Sequence, residues 1–422
     1  MTSKPIARTN NAEREAPSPV KRSATAAPMK DPDTGRWWFV VDLGPGPDSD
    51  GVWRQRRQAR RRGFKTKGDA LTAMTKLRTE ADEGVYIAAH AETVSSWITR
   101  WIATLDTQVK PGTADFYKQF ANRYVVPRLG PIPLQRLDAH HLNMLYSDML
   151  RSGRKDGKGG LSVATTRHVH VLLGKALDAA VKAGRIKTNP ARLASPPSAR
   201  SAERPEMRTW SAGNIAKFLD LEAGTRYEAP FAFLAFTGCR RGEVLGLVWG
   251  DVNLTQGQVS IRRTITVVDG KLHRSASTKS GKGRSIRLQP ELVAILKSWR
   301  KRQLVERIAL GAGYGDEDLV FCQADGRPYN PKHFSREFER RSRRHEMPPI
   351  RLHDLRHSYA TIALAAGVPA KVVADRLGHG SVMITLDLYS HVMPVVEAAH
   401  ADAVGAIITR ARAEGLSRDD NL

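Results

Sequence analysis

One segment near the C-terminal end constrains the fold most, because its spacing favours a helix with a charged face. The segment runs from Arg351 to His357 and places His353 three residues before Arg356. Residues three apart share one face of a helix. An imidazole that titrates near neutral pH would therefore lie beside a permanent, planar cation. His379 and Tyr389 follow. A phenol, two histidines and a guanidinium brought together indicate phosphoryl transfer without a metal.

The charge of the chain indicates a polyanionic partner. Lys plus Arg number 67 against 43 Asp plus Glu in 422 residues, a formal net charge of +24. Nucleic acid is the usual partner of such an excess. A membrane is disfavoured, because no apolar run reaches the ~18 residues that a span needs. Cys239 and Cys322 lack a paired spacing, which excludes a disulfide scaffold or a zinc ribbon and fits a reducing cytoplasm.

The length suggests two or three domains of about 150 residues each, and 41% hydrophobic residues suffice for a sizeable core. We predict a multidomain protein with a small three-stranded sheet and one helix, an all-α helical domain, and a mainly-α α+β domain with a small antiparallel sheet. We predict a disordered basic tail over 1–34, a sheet domain over 35–86, a helical domain over 91–187 and a linker over 188–208. The α+β domain is predicted over 209–400, and a C-terminal helix and tail over 401–422.

The sheet domain begins with the aromatic and β-branched strand Trp37–Val41, and a second run opens at Val52. A helix is predicted over 70–83, with Leu71, Met74 and Leu77 on one face. The second run contains no acidic residue before Lys67. We expect its basic side chains to contact DNA phosphates or base edges, and the alternative is a solvated charged face. These candidates are Arg54, Arg56, Arg57, Arg60, Arg61, Arg62, Lys65 and Lys67.

The helical domain is predicted from an amphipathic stripe that includes Trp97 and Trp101, which we therefore assign to its core. Residues 188–208 are rich in proline and indicate a linker. In the α+β domain, Cys239–Trp249 is predicted as a helix and Val259–Val268 as a strand. Asp269-Gly270 is the strongest short hairpin signal. The remaining predicted strands are 271–277 and 284–288, and the remaining predicted helices are 291–309 and 331–344.

The chain carries, in this order, Thr237-Gly-Cys-Arg240-Arg-Gly-Glu243, Thr278-Lys279 in a turn, His353-x-x-Arg356, Leu377-Gly-His379 and Tyr389. With this ordered set it resembles the tyrosine recombinases, the phage integrase family. Any one motif is weak, but the ordered set is specific. It covers about residues 205–400. The two upstream domains resemble the arm-type DNA-binding domain and the core-binding domain of lambda-type integrases.

The resemblance implies a site-specific DNA recombinase that cuts and rejoins strands through a covalent 3′-phosphotyrosyl intermediate. Tyr389 would be the nucleophile, Arg240 and Arg356 would clamp the phosphate, and Lys279 would be the general acid. His353 would exchange a proton with the phenol, and His379 would bind the phosphate. Glu243 is expected to orient an arginine or a helix. No metal, ATP or other cofactor is expected, because the covalent link conserves the bond energy.

The expected partners are double-stranded DNA at attachment sites and three further copies of the chain, as a homotetramer on DNA from a monomer in solution. An accessory directionality factor and a location in the cytoplasm, at the bacterial nucleoid, are also expected. In relatives the segment after the nucleophile docks on a neighbouring protomer. We expect Val395–Ile408, an Ala-rich apolar helix, to do so here; the alternative is that it covers its own core.

Three other hypotheses about the function are also compatible with the sequence. A DNA-binding regulator without chemistry would share the basic domains, and a type IB topoisomerase would share the arginine, lysine, histidine and tyrosine chemistry. His353 and His357 are four apart, as in zinc helices. A zinc hydrolase, however, would need Glu where Asp354 stands, and Arg356 would bring a cation beside the metal. Taken singly, each motif residue is also a common packing or surface residue.

Overall fold

The computed structural model describes residues 27–47, 53–83, 86–154, 156–201, 207–275, 283–315, 317–389 and 405–412. The chain divides into two compact units. The first contains the residues up to 203 except 111–115, and the second contains those five residues and the chain from 204 onwards. Within the described part of the chain, no helix is long and apolar enough to cross a membrane.

The first unit opens with a three-stranded antiparallel sheet in the order β1-β2-β3 and one helix, which confirms the predicted sheet domain. The elements are β1 (Met29–Lys30), β2 (Trp37–Pro47), β3 (Trp53–Phe64) and α1 (Lys67–Asp82). The Thr66 hydroxyl caps α1 by accepting from the Asp69 backbone N–H at 3.1 Å. Phe39 and Val41 pack beneath the sheet against Met74 and Leu77.

Two predictions in this region are wrong. The tail was predicted to extend to residue 34, but Met29 and Lys30 pair with Trp38 and Trp37 of β2; residues 1–26 of the predicted tail lie outside the described residues. Leu71 is exposed, and Ala70 takes its place beside Met74 and Leu77. Residues 70, 74 and 77 follow the i, i+4, i+7 spacing of one face, from which position 71 departs.

The rest of the first unit is helical, as predicted. Its helices are α2 (Val94–Ala103), α3 (Pro111–Phe120, of which residues 111–115 belong to the second unit), α4 (Val126–Leu129), α5 (Ala139–Ser152) and α6 (Val163–Lys182), with one π-helical turn between α3 and α4. Trp97 and Trp101 are buried, and the Trp97 indole N–H donates to the Ala176 carbonyl of α6 at 2.8 Å. Both tryptophans therefore belong to the core.

The predicted linker is wrong for residues 188–201, which pack on the helical core. The Asn189 side-chain amide donates to the Gly174 carbonyl at 2.9 Å and to Asp178 at 2.8 Å. Arg167 donates to the Pro197 carbonyl at 2.7 Å. The proline content indicated a linker, but it carries no information about these tertiary hydrogen bonds or about the short 3₁₀ helices Pro190–Arg192 and Ala199–Ser201.

The second unit is a helical domain with two small antiparallel sheets. Its helices are α7 (Ala212–Glu222), α8 (Glu228–Thr237), α9 (Arg241–Leu245), α10 (Pro290–Leu310), α11 (Pro331–Arg344), α12 (Asp354–Ala365), α13 (Ala370–Leu377) and α14 (Val382–Tyr389). Its strands are β4 (Val252–Asn253), β5 (Gln258–Ile261), β6 (Thr264–Val268), β7 (Lys271–Ser275) and β8 (Arg284–Arg287). The core contains many aromatic residues, and the rings of Trp210, Phe218, Phe231 and Phe338 contact one another in tilted or edge-on arrangements.

The strand prediction for 259–268 is wrong in one respect: the run is divided between two sheets. β5 lies in a sheet ordered β4-β5-β8, whereas β6 pairs only with β7 among the described strands. The hairpin at Asp269-Gly270 is confirmed, with φ of 49° and 77°, as a two-residue turn with both central φ positive requires. The predicted helix over 239–249 is confined to α9, because Gly246 ends it.

Several predictions fall partly outside the described residues. The turn with Lys279 lies there, as does most of the predicted helix over 395–408. Residues 405–412 are helical.

Candidate active site

The site is built on a helix end. α8 ends at Gly238, whose φ of 63° lies in the left-handed region. A Cβ there would stand 2.6 Å from the Leu377 side chain and 2.7 Å from the Tyr359 ring, so only glycine fits. The Gly238 carbonyl accepts a hydrogen bond from Nη1 of Arg356 at 2.8 Å. The turn thereby fixes one arginine of the resemblance.

Arg240 follows directly and is held at three atoms. Its Nη1 donates to Oε1 of Glu243 at 2.9 Å, and its Nη2 donates to the Gly378 carbonyl at 2.8 Å. Its backbone N–H donates to Oε2 of Glu243 at 3.0 Å. Glu243 also accepts from Nη2 of Arg284 at 2.7 Å. One buried carboxylate therefore orients two guanidinium groups, and the expectation that Glu243 orients an arginine is confirmed.

The pKa of Glu243 reflects these partners. Burial alone would raise it, but the hydrogen bond and charge of Arg284, together with Arg240, lower the pKa below its ordinary value. Arg284 was not predicted from the sequence. The signal was available, since Arg284 and Ile286 share one face of β8 and Ile286 is buried. An arginine at an inward strand position needs a buried partner.

Arg356 is the most buried arginine of the group, with 4% of its surface exposed. Burial, followed by the charge of Arg240, lowers its pKa to about 10. Its Nη2 atom is buried and has no hydrogen-bond partner in the described part of the chain. An unpaired buried donor is costly, so this group is poised for an anionic acceptor.

His353 immediately precedes α12 and stands at its N-cap. Although His353 keeps an exposed surface, the atoms packed around its ring, followed by His357 and Arg356, lower its pKa to about 4. The His353 and His357 rings are perpendicular with centroids 5.3 Å apart. We find no group of three potential metal ligands among the described residues.

His379 reaches the same place from the turn after α13. Its Nδ1 lies 2.7 Å from the hydroxyl of buried Thr385. Burial, followed by the charges of Arg356 and Arg240, lowers the pKa of His379 to about 4. Gly378 has a φ of 71°, and a Cβ there would come within 2.9 Å of Arg284.

Four of the six catalytic candidates are thus brought together: Arg240, His353, Arg356 and His379. Tyr389 is the last residue of α14, which packs beside α13, but its side chain lies outside what the structure describes. Lys279 also lies outside the described residues. A cationic pocket with two neutral imidazoles can bind a phosphate diester and move a proton beside it.

The DNA-binding candidates of the sheet separate into two groups. Arg54, Arg56, Arg60 and Arg62 are exposed, and Arg60 lies over the Trp38 ring at 4.3 Å. Arg57 and Arg61 alternate with them and are half-buried. Arg57 donates to the backbone carbonyls of Gly44, Leu43 and Pro45, each at 3.4 Å. Lys65 and Lys67 are exposed at the end of β3 and the start of α1.

Comparison with known proteins matches residues 211–394 to the phage integrase family and residues 93–150 to the phage integrase N-terminal SAM-like domain. The chain belongs to the phage integrase family. This integrase is 24% identical to the ICEBs1 integrase of Bacillus subtilis, over 90% of this chain and 100% of that protein. It is 26% identical to an integrase of Saccharopolyspora erythraea, over 87% and 93% of the two chains.

Solved structures share its fold. The Tn1549 transposon integrase in complex with transposon right end DNA matches with a TM-score of 0.61 at 19% identity, covering 74% of this chain and 99% of that chain. A lambda integrase dimer bound to a core site matches with a TM-score of 0.53 at 15% identity, covering 88% and 96%. The integrase therefore has the fold of the lambda-type integrases, as the sequence predicted.

Proposed function

We propose that this site-specific recombinase cuts and rejoins DNA at attachment sites with Tyr389 as nucleophile and Arg240 and Arg356 as the phosphate clamp. One observation carries the proposal: Arg356 presents a buried, unpartnered Nη2 within the group that includes Arg240, His353 and His379. An acceptor placed there would relieve the unpaired donor and meet two cations. A non-bridging oxygen of a DNA phosphate is such an acceptor.

The proposed cleavage step transfers the scissile phosphate from the 5′ oxygen of the DNA to the phenolic oxygen of Tyr389. The phenolic oxygen of Tyr389 forms a bond to the scissile phosphorus, and the bond from phosphorus to the 5′ oxygen breaks. The phenol proton passes to His353, and Lys279 donates a proton to the leaving 5′ oxygen. Arg240 and Arg356 bind the non-bridging oxygens as negative charge grows on them. A 5′ hydroxyl from another strand then attacks the phosphotyrosine and reverses the step.

The low pKa of both histidines supports their proposed roles. With a pKa of about 4, His353 is neutral at pH 7 and has a free lone pair for the phenol proton. Neutral His379 can donate one ring N–H to the phosphate while its other nitrogen meets Thr385. Burial is the main reason that both imidazoles are neutral, and the nearby positive charge of Arg356 adds to it.

We also propose the partners by analogy with relatives. A lambda integrase tetramer has been solved on a Holliday junction, and we infer the same assembly here, from a monomer in solution. The sheet domain would bind arm-type DNA through its exposed arginines, and the helical domain would bind the core site. The segment after Tyr389 would dock on a neighbouring protomer, so truncation after Val392 should leave DNA binding by monomers and remove recombination. An accessory directionality factor and a nucleoid location complete the proposal.

The test is covalent trapping on a suicide DNA substrate taken from the genomic DNA that flanks the element. Wild type should yield a phosphotyrosyl adduct that survives denaturation, and Tyr389→Phe should yield none while binding DNA equally well. Tyr359→Phe is the matched control, because Tyr359 packs against Leu377 and Ala360 beside the site. Adduct from the Tyr389→Phe protein would refute the nucleophile. Absence of any wild-type adduct would favour a regulator, and relaxation of plasmids lacking the site would favour a topoisomerase.

A further inference from the structure

The C-terminal third of α10 leaves the core of the second unit. Earlier along the helix, Leu292, Leu296, Trp299 and Gln303 are buried. After Gln303 the apolar side chains turn outward. Leu304, Val305, Ile308 and Leu310 are exposed to 57%, 66%, 73% and 47%. Contiguous exposed apolar side chains on a soluble domain mark interaction surfaces more often than chance placement.

A cavity of about 670 Å³ adjoins this end of the helix. Trp249, Leu254, Tyr314 and Cys322 line it, and Leu304 belongs both to the cavity and to the exposed turn. We call this continuous area the α10 surface. Its volume is in the range of sites that accept large side chains or small ligands.

The floor of the α10 surface is preformed. The Trp249 indole N–H donates to Oε1 of Gln303 at 2.8 Å, and Nε2 of Gln303 donates to the Leu319 carbonyl at 2.9 Å. The Tyr314 hydroxyl lies 3.3 Å from the Cys322 thiol. Because these polar groups satisfy one another, the apolar faces of the two rings are held in place, and little side-chain entropy is lost when a partner binds.

The rim of the α10 surface is mainly cationic, although Asp318, whose carboxylate accepts from the Gly250 backbone N–H at 3.2 Å, also lines the cavity. Lys297, Arg300 and Lys301 line the cavity, and none of them has a carboxylate partner within the described ranges of the chain. Arg300 instead lies over the Trp249 ring at 5.0 Å. The neighbouring Arg302, by contrast, pairs with Glu306 at 3.3 Å. Three cations without acidic partners therefore border an apolar floor.

We propose that the α10 surface binds an acidic, amphipathic peptide segment of a protein partner. An apolar side chain of that segment would enter between Trp249, Leu304 and Tyr314, and its carboxylates would meet the three rim cations. Helices that dock in grooves use this combination of apolar anchors and flanking charge. The α10 surface lies apart from the residues assigned to strand cleavage, so the proposal stands without the proposed chemistry.

Two other occupants fit less well. DNA would match the cations, but its charged phosphate backbone offers no extended apolar face to cover Leu304, Val305 and Ile308. A second copy of the chain carries a formal net charge of +24, so it would bring like charge to a cationic rim. An acidic peptide satisfies both the rim and the floor.

The test measures fluorescence anisotropy of a labelled 16-residue synthetic helix with the full chain. The peptide carries Leu and Phe at every third and fourth position and Glu elsewhere. The variants are Leu304→Glu with Ile308→Glu, and Lys297→Glu with Lys301→Glu. Each should weaken binding at least about tenfold, as loss of an interface anchor does. Ser298→Glu, exposed on the same helix but outside the cavity, should change Kd less than about twofold.

Further measurements distinguish the possible partners of the α10 surface: an acidic peptide, DNA or a second copy of the chain. Equal Kd for wild type and both double variants, or equal binding of a peptide with Lys in place of Glu, would overturn the proposal. Weaker duplex DNA binding by the double variants with unchanged peptide binding would make the α10 surface a DNA contact. Loss of self-association in sedimentation, with unchanged peptide binding, would assign it to a second copy. Unaltered melting temperature and adduct yield show that each variant is folded.

Discussion

The arginines of the sheet and those of the catalytic pocket are the same residue type in opposite settings. On β3, Arg54, Arg56, Arg60 and Arg62 are exposed. In the pocket, Arg240 and Arg356 each donate to a carbonyl at a helix end, and Arg356 is almost fully buried. The first set is surrounded by water and ions, and the second set by protein.

The difference determines what each set can do. Exposed cations attract DNA over a distance, but salt screens them and their side chains remain mobile. Buried cations act on a single phosphate, because fixed acceptors hold their direction and the surrounding protein strengthens their field. We infer that the sheet contributes affinity, whereas the pocket contributes rate.

The largest contrast concerns two carboxylates that pair with arginine. Glu243→Gln should lower the free energy of unfolding by about 3–5 kcal/mol, because Arg240 and Arg284 would lose their buried counterion. Asp42→Asn in the sheet removes a pair whose arginine is 65% exposed, and the expected loss is below about 1 kcal/mol. Urea denaturation of both variants gives the two values. Equal losses would abolish the distinction between the regions.

Arg356→Lys tests the pocket by its rate. The planar fork that meets both Gly238 and an anion is lost, so adduct formation should fall about 10²–10³-fold. DNA affinity should change little, since the rest of the DNA interface is intact. Arg62→Lys on the sheet is the matched control and should form adduct at the wild-type rate. Single-turnover cleavage and gel-shift titration separate the two effects.

Within the sheet, we expect substitution of Arg60 to affect DNA binding and substitution of Arg57 to affect stability. Arg60→Ala should weaken arm-type DNA binding and reduce the slope of log affinity against log salt by about 1. Arg57→Ala should instead lower the melting temperature, because three backbone carbonyls around Gly44 lose a donor. If Arg57→Ala altered only the salt slope, the division between structural and DNA-facing arginines would be wrong.

The smallest effect is expected from pH. His353 and His379 have pKa values of about 4 when folded, against about 6.5 in an unfolded chain. Because the folded pKa is depressed, their contribution to stability is fully present above about pH 6.5 and is lost as pH falls toward 4. Both imidazoles also stay neutral between pH 7.5 and 6. Adduct formation at subsaturating DNA should therefore change less than about twofold over that range. An ordinary pKa for His353 would give a roughly fourfold fall.

Sequence reasoning predicted best where local spacing determines the outcome. The Asp269-Gly270 turn and the helix that follows His353 depend on neighbours along the chain. The resemblance named Arg240 and Arg356 as clamp residues. The roles of all six catalytic candidates remain predictions.

The failures required knowledge of distant partners. Arg284 binds Glu243, 41 residues earlier, and Asn189 ties the supposed linker to α6. Residues 258–268 are divided between two sheets because β5 pairs with β8, whereas β6 pairs with β7. The local Asp269-Gly270 signal predicts the pairing of β6 with β7, but no local pattern shows that β5 pairs with the distant β8.

The end of α13 has a consequence for how the nucleophile is delivered. Its last carbonyls accept from two guanidinium groups, Arg376 from Arg284 at 2.6 Å and Gly378 from Arg240 at 2.8 Å. The chain then leaves toward α14 and Tyr389. Arg240 and Arg284 hold the end of α13, so we expect a movement of α14 to turn about Gly378 and to leave Arg240 in place. His379 contacts Thr385 of α14 and would move with that helix. We therefore expect one guanidinium of the proposed clamp to keep its direction while the proposed nucleophile is repositioned.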